Sequence, residues 1–186
     1  MGLCTIRESV SAGTVIRVEG IRVDGPSGGY SVLILSDAPS SPEVVSFADR
    51  LTGSGLQTVV PNDIAAHNVA SIVSVTEQLR LRWLTLVGIG GGADLAWHTA
   101  AEQGYRFSAL VVGERPHPAI SGEDPACGAV QIPTTFVLNS TQAPDVGLAT
   151  GRKVWADYRT VTVGAKRVLD APAEFAAEAV LRTSTW

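Results

Sequence analysis

Cysteine, histidine and lysine are all scarce in this sequence. Two cysteines, Cys4 and Cys127, occur in 186 residues. That excludes a disulfide framework or a cysteine-rich zinc site and leaves two free thiols in a reducing cytosol as the expectation, with one Cys4–Cys127 bridge as the alternative. Three histidines are present and none follows His117. Charged residues make up only 17 %, with a net charge of -4, against the clustered basic surface that sequence-independent nucleic-acid binding needs. No run of about 18 apolar residues exists, so no membrane span is expected. The opening MGLCTIRESVSAG has no apolar stretch long enough for a leader. Ile6 stands where a myristoylation signal needs serine or threonine. A cytoplasmic protein is expected, with neither nucleic acid nor membrane as partner and with no cofactor or metal.

What is present is apolar: 45 % of the residues are hydrophobic, and a chain of this length buries roughly 70 % of its unfolded surface in one domain. Residues 13–18 and 21–24, broken at Gly20, alternate apolar and polar as a half-exposed antiparallel pair. The run 30–35 reads as a strand covered on both faces. A helix then opens at Ser40, Ser41 and Pro42, with Val44, Val45, Phe47, Ala48 and Leu51 as its apolar stripe. The unit repeats as strand 56–60, helix 65–80, strand 83–87, helix 93–103 and strand 107–112. Strand 132–138, helix 147–156, strand 158–163 and a helix from Pro172 to about Arg182 follow. Strands alternating with helices specify a three-layer α/β sandwich around a mostly parallel sheet of about seven or eight strands. The chain 1–186 reads as a single domain. Its one long irregular stretch, 113–131, follows the carboxyl end of a strand, the edge where such sheets bind ligands.

The sharpest local feature is strand 83–87 followed by Gly88-Ile89-Gly90-Gly91-Gly92 and a helix. The segment resembles the nucleophile elbow of the α/β-hydrolase family, and specifically its dienelactone-hydrolase branch, with Gly88 and Gly92 as the flanking glycines. The nucleophile position is then Gly90, which has no side chain to attack with. Gly88-x-Gly90-x-x-Ala93 also fits a dinucleotide fingerprint, with Glu114 as the ribose-binding acid. The turn would then lie late in the sheet, after four strands. A third reading is packing alone.

The resemblance extends over nearly the whole chain as architecture. It implies a catalytic acid shortly after strand 132–138, where 139–144 contain none and Asp145 comes one or two positions late. It implies a histidine after the last strand, where Lys166 or Arg167 stands, and a His-Gly oxyanion signature where Ser36-Asp37-Ala38-Pro39 stands. A triad acts as a unit, so three absent roles are hard to rescue together. The family's lid is expected between strands 107–112 and 132–138, and the 19 residues there are too few for a helical cap.

Three functional readings follow. The first is a noncatalytic protein, a pseudoenzyme, that binds a ligand or acts as an interaction scaffold, with Asp37, Ala38, Ile89, Glu114, His117 and Asp145 as pocket candidates. The second is a small ester or lactone hydrolase with relocated residues. A Cys127/His117 pair or a metal site can be drawn for it among Glu114, His117, Glu123, Asp124 and Cys127, although a solvated loop is the plainer expectation there. Pro116 and Pro118 bracket His117 and exclude a helical Glu-x-x-His site. The third is a dinucleotide-binding protein. His67 and His98 read as surface residues. Trp97 and Trp155 are candidate anchors for a protein partner or homo-oligomer, with core packing as the plainer role.

Overall fold

A computed structural model describes residues 20–81 and 83–184. The expected strand 13–18, Cys4 and Trp186 lie outside them. Seven strands form one sheet: β1 (Ile21–Asp24), β2 (Ser31–Ser36), β3 (Gln57–Pro61), β4 (Leu84–Ile89), β5 (Ala109–Gly113), β6 (Thr134–Leu138) and β7 (Tyr158–Thr162). Their order is β1-β3-β2-β4-β5-β6-β7. All neighbours are parallel except β1 and β3, which pair antiparallel with Ile21 opposite Pro61. The N-terminal antiparallel pairing seen here is therefore β1 with β3.

Six helices flank the sheet: α1 (Pro42–Gly53), α2 (Val69–Gln78), α3 (Gly92–Gln103), α4 (Pro118–Ser121), α5 (Pro144–Gly151) and α6 (Pro172–Ser184). Side-chain alternation along each strand divides the core in two. Val32, Ile34, Val87, Val111 and Val137 face α1 and α6, where the Phe47 and Phe175 rings stack 4.7 Å apart. Leu33, Leu35, Leu86, Leu110 and Phe136 face the side that carries Ile72 of α2 and Trp97 of α3. This is an α/β-hydrolase-like architecture, and the near-continuous apolar strands are what burial on both faces demands.

Two helix boundaries differ from expectation. Helix 65–80 opens instead at Val69, because Asn68 and Ser71 form a reciprocal capping box; Asp63 caps a separate 3₁₀ turn, Ile64–Ala66. Helix 147–156 lies earlier, at Pro144–Gly151: Pro144 needs no amide partner at the first turn. At its far end the chain must turn where Gly151 packs on the Tyr158 ring. Trp97 is fully buried and donates its indole N–H to the Arg115 carbonyl at 3.0 Å, so it packs the core and anchors no partner. No helix among the described residues is long and apolar enough to cross a membrane.

Candidate functional site

Strand order reverses at β2 and β4: the chain leaves β2 toward β3 on one side and leaves β4 toward β5 on the other. The crevice between their carboxyl ends is the switch point at which open α/β sheets bind ligands. A cleft of about 190 Å³ lies there, lined by Ser36, Asp37 and Ala38 after β2, Ser41 and Glu43 at α1, Ile89 and Gly90 after β4, and Glu114, Arg167 and Leu169.

The glycine turn between β4 and α3 is built by close packing. A Cβ at Gly92 would lie 2.2 Å from the Leu35 carbonyl oxygen, and one at Gly88 would lie 2.6 Å from Ala96 Cβ. Gly90 has φ +56°, the left-handed conformation that side chains resist. A Cβ there would meet Asp37 Oδ1 at 2.4 Å, and one at Gly91 would meet Asp37 Oδ2 at 3.1 Å. Asp37 therefore reaches across from the β2 loop, and its carboxylate fills the space that a side chain at Gly90 would take.

The remaining polar groups tie the cleft walls together. Glu114 is a non-glycine residue at φ +67°. That strain is held by its amide donating to the Val137 carbonyl, its own carbonyl accepting from Gln142 Nε2, and its carboxylate accepting from the Val168 amide. Arg167 donates to Asp170 Oδ1 at 2.7 Å and approaches Glu43 Oε1 at 3.4 Å. A hydrogen bond at the start of α1 holds the Glu43 carboxyl below its ordinary range, and Arg167 does the same to Asp170. Buried Ser36 accepts from the Ala38 amide, and Ser41 caps α1 through the Val44 amide.

Of the sequence candidates, the structure brings together Asp37, Ala38, Ile89, Gly90 and Glu114. Asp145 is exposed in the first turn of α5 and is absent from the cleft lining, since α5 starts earlier than its sequence pattern implied. His117 also lies elsewhere. It is 0 % exposed, against the expectation of a loop whose polar residues face water. Its Nδ1 accepts from the Ala119 amide at 3.2 Å, capping α4, and its Nε2 lies 2.9 Å from the Gly128 carbonyl oxygen. An amide only donates and a carbonyl only accepts, so the proton sits on Nε2. Buried Cys127 Sγ is 3.7 Å from that protonated nitrogen and finds no base in it. Burial lowers the His117 pKa and raises the Cys127 thiol to about 11. Glu123 does face water, where Arg115 bonds it at 3.0 Å. Among the described residues no group of three or more His, Cys, Asp or Glu side chains is arranged to hold a metal ion.

Sequence reasoning missed Ser41, Glu43 and Leu169 as cleft residues. Glu43 was legible only as the second residue of a capped helix. Arg167, one of the two residues at the expected histidine position, does reach the cleft.

No protein-family model matches the chain, and no curated protein matches it in sequence. Solved structures do. A dienelactone hydrolase from Anabaena variabilis is 18 % identical, with TM-score 0.68 over 97 % of this chain and 94 % of its own. An epoxide hydrolase of the α/β-hydrolase superfamily, from hot-environment metagenomes, is 12 % identical, with TM-score 0.69 over 100 % and 99 %. An esterase from Exiguobacterium antarcticum is 14 % identical, with TM-score 0.67 over 98 % and 100 %. The class defined is the α/β-hydrolase-like fold, and these structural neighbours are hydrolases.

Proposed function

We propose that this chain is a noncatalytic protein on an α/β-hydrolase-like scaffold, binding a small ligand in the elbow cleft. One observation carries the reading: the Asp37 carboxylate occupies the space of a nucleophile side chain at Gly90. Further support comes from the lining, which contains no histidine, the side chain that most often serves as general base. A carboxylate there also repels the oxyanion of acyl transfer and the phosphates of a dinucleotide. Three carboxylates, Asp37, Glu43 and Glu114, make the lining rich in acceptors, which suits a ligand that presents N–H or O–H donors, an amine or a polyol. The test is a thermal-shift and native-mass screen of amines and polyols alongside an ester, lactone and epoxide turnover panel. Binding that weakens at least about tenfold in Asp37→Asn, with no turnover, is the expected result.

The same carboxylate favours a second reading, a small-substrate hydrolase with relocated residues. Asp37 would supply the nucleophile, in keeping with the hydrolases that share the fold. This reading requires turnover that is lost in Asp37→Asn and a covalent adduct on Asp37 visible by intact mass, an ester where an epoxide ring is opened or an anhydride where an ester or lactone is attacked. Either result overturns the noncatalytic reading.

A further inference from the structure

Residues 114–131 run over α3 as a strap whose ends are fixed. At one end the Glu114 amide donates to the Val137 carbonyl; at the other Val130 pairs with Val154, its amide donating to the Lys153 carbonyl. Between Ala119 and Ala129 the one buried residue is Cys127. Such a segment has little apolar area to hold it down, and it opens locally at a cost well below that of global unfolding. Its backbone hydrogen bonds join near neighbours, such as Gly122 to Pro118 and Cys127 to Asp124. The His117 side chain ties the two limbs together. Its Nδ1 accepts from the Ala119 amide in one limb and its Nε2 donates to the Gly128 carbonyl in the other, while its ring lies 5.2 Å from that of Trp97 on α3.

This arrangement works in one protonation state. With a proton on each nitrogen, Nδ1–H would point at the Ala119 N–H, two donors 3.2 Å apart. The cation would also lie where the imidazole is fully buried. Charged and titratable groups face the ring from each element packed on it. Asp124 of the strap favours the cation, but its carboxylate already accepts from the Ala126 amide. Lys153, after α5, and His98 of α3 oppose it. Cys127 is a neutral thiol, kept so by burial and by Asp124 and Glu102. Asp94 of α3 and Glu123 are both engaged by Arg115. The Trp97 ring is tilted 60° to the imidazole and offsets part of the cost.

We propose that His117 is a proton-operated latch: uptake of one proton from solvent at Nδ1 turns the Ala119 amide from a partner into an opposed donor, and the strap lifts from α3 between its fixed ends, uncovering Cys127. The cleft is not part of the device, because Glu114 is held from outside the strap by Val137, Gln142 and Val168. Burial lowers the His117 pKa in the closed strap, so the open strap, with an ordinary value of about 6.5, takes the proton first as pH falls. The open fraction then rises below about pH 6.5, by at most about tenfold per pH unit, until the closed form protonates as well.

The test is the rate at which a pyridyl disulfide, a reagent that still modifies thiols in acid, labels Cys127 of the full chain between about pH 7 and about pH 5. Each rate is divided by that of an unstructured cysteine peptide at the same pH, and peptide mass separates Cys127 from Cys4. The ratio should rise about tenfold over that range while the amides of β4 stay protected from hydrogen exchange. His117→Asn keeps an acceptor for the Ala119 amide but cannot titrate, so its ratio should stay flat. His67→Gln combined with His98→Gln leaves His117 as the one histidine of the chain and leaves position 117 intact. There the rise should persist and grow, because the His98–Asp124 contact at 3.6 Å, an ion pair once His98 is protonated, no longer opposes opening. A flat ratio in the unmodified chain overturns the inference. So does a rise that survives in His117→Asn, one that disappears in the double variant, or one matched by exchange of the β4 amides, which is unfolding of the whole domain.

Discussion

The elbow cleft and the loop after β5 both follow the carboxyl ends of strands, yet they divide chemistry and access between them. The cleft is open to solvent and holds carboxylates, hydroxyls and a glycine at its centre. The loop holds a thiol and an imidazole within 3.7 Å of each other, but both are buried and the imidazole's two nitrogens are engaged by backbone. Residue type alone would place reactivity in the loop. Burial and the engaged nitrogens of His117 disarm it there, and the open carboxylate is instead Asp37 in the cleft.

The comparison breaks most readily at Gly92. An added methyl would meet the Leu35 carbonyl at 2.2 Å, backbone against backbone. Gly92→Ala should cost about 3 kcal/mol or more of stability in urea unfolding, because neither β2 nor α3 can yield. Next in size is the reactivity of Cys127. With its thiol raised from 9.0 to about 11, its thiolate fraction falls about a hundredfold, and pulsed alkylation of the native protein should label it at least that much more slowly than after unfolding. Rapid native labelling would show that the loop opens and would dissolve the contrast with the cleft. The smallest effect is on pH. Burial depresses the folded His117 pKa, with Lys153 and His98 adding to the depression and Asp124 and the Gly128 carbonyl opposing it. The unfolded chain then takes the proton first as pH falls. The stabilising contribution is full above about pH 6.5 and is lost as pH falls through the folded pKa, with a slope of at most about 1.4 kcal/mol per pH unit. Urea titrations from pH 7 downward should show that slope, flattened in His117→Gln.

Much of this was legible in the sequence, for reasons that differ between layers. Parallel strands such as Ser31–Ser36 and Leu84–Ile89 announce themselves because burial on both faces makes their central residues near-continuously apolar. The glycine turn was legible because close packing requires the absence of Cβ. The occupant of Gly90 was not: Asp37 lies in the loop after another strand, β2, and only tertiary register brings its carboxylate over the turn. The burial of His117 was hidden for a similar reason. A histidine between two prolines reads as loop, and the groups that satisfy it, the Ala119 amide and the Gly128 carbonyl, are backbone atoms without any sequence signature. Asp145 was misplaced by a helix start that only its proline marks.

The stacking of Phe47 on Phe175 joins α1 to α6, about 130 residues later in the chain. During synthesis the stripe of Val44, Phe47 and Leu51 emerges long before α6, and it waits uncovered until Phe175 and Ala179 have left the ribosome. One face of the sheet is thus closed only once α6 has emerged. A nascent chain stalled before Pro172 would present that stripe to chaperones, and the cleft, whose wall includes Arg167 and Leu169, would be unfinished at the same moment.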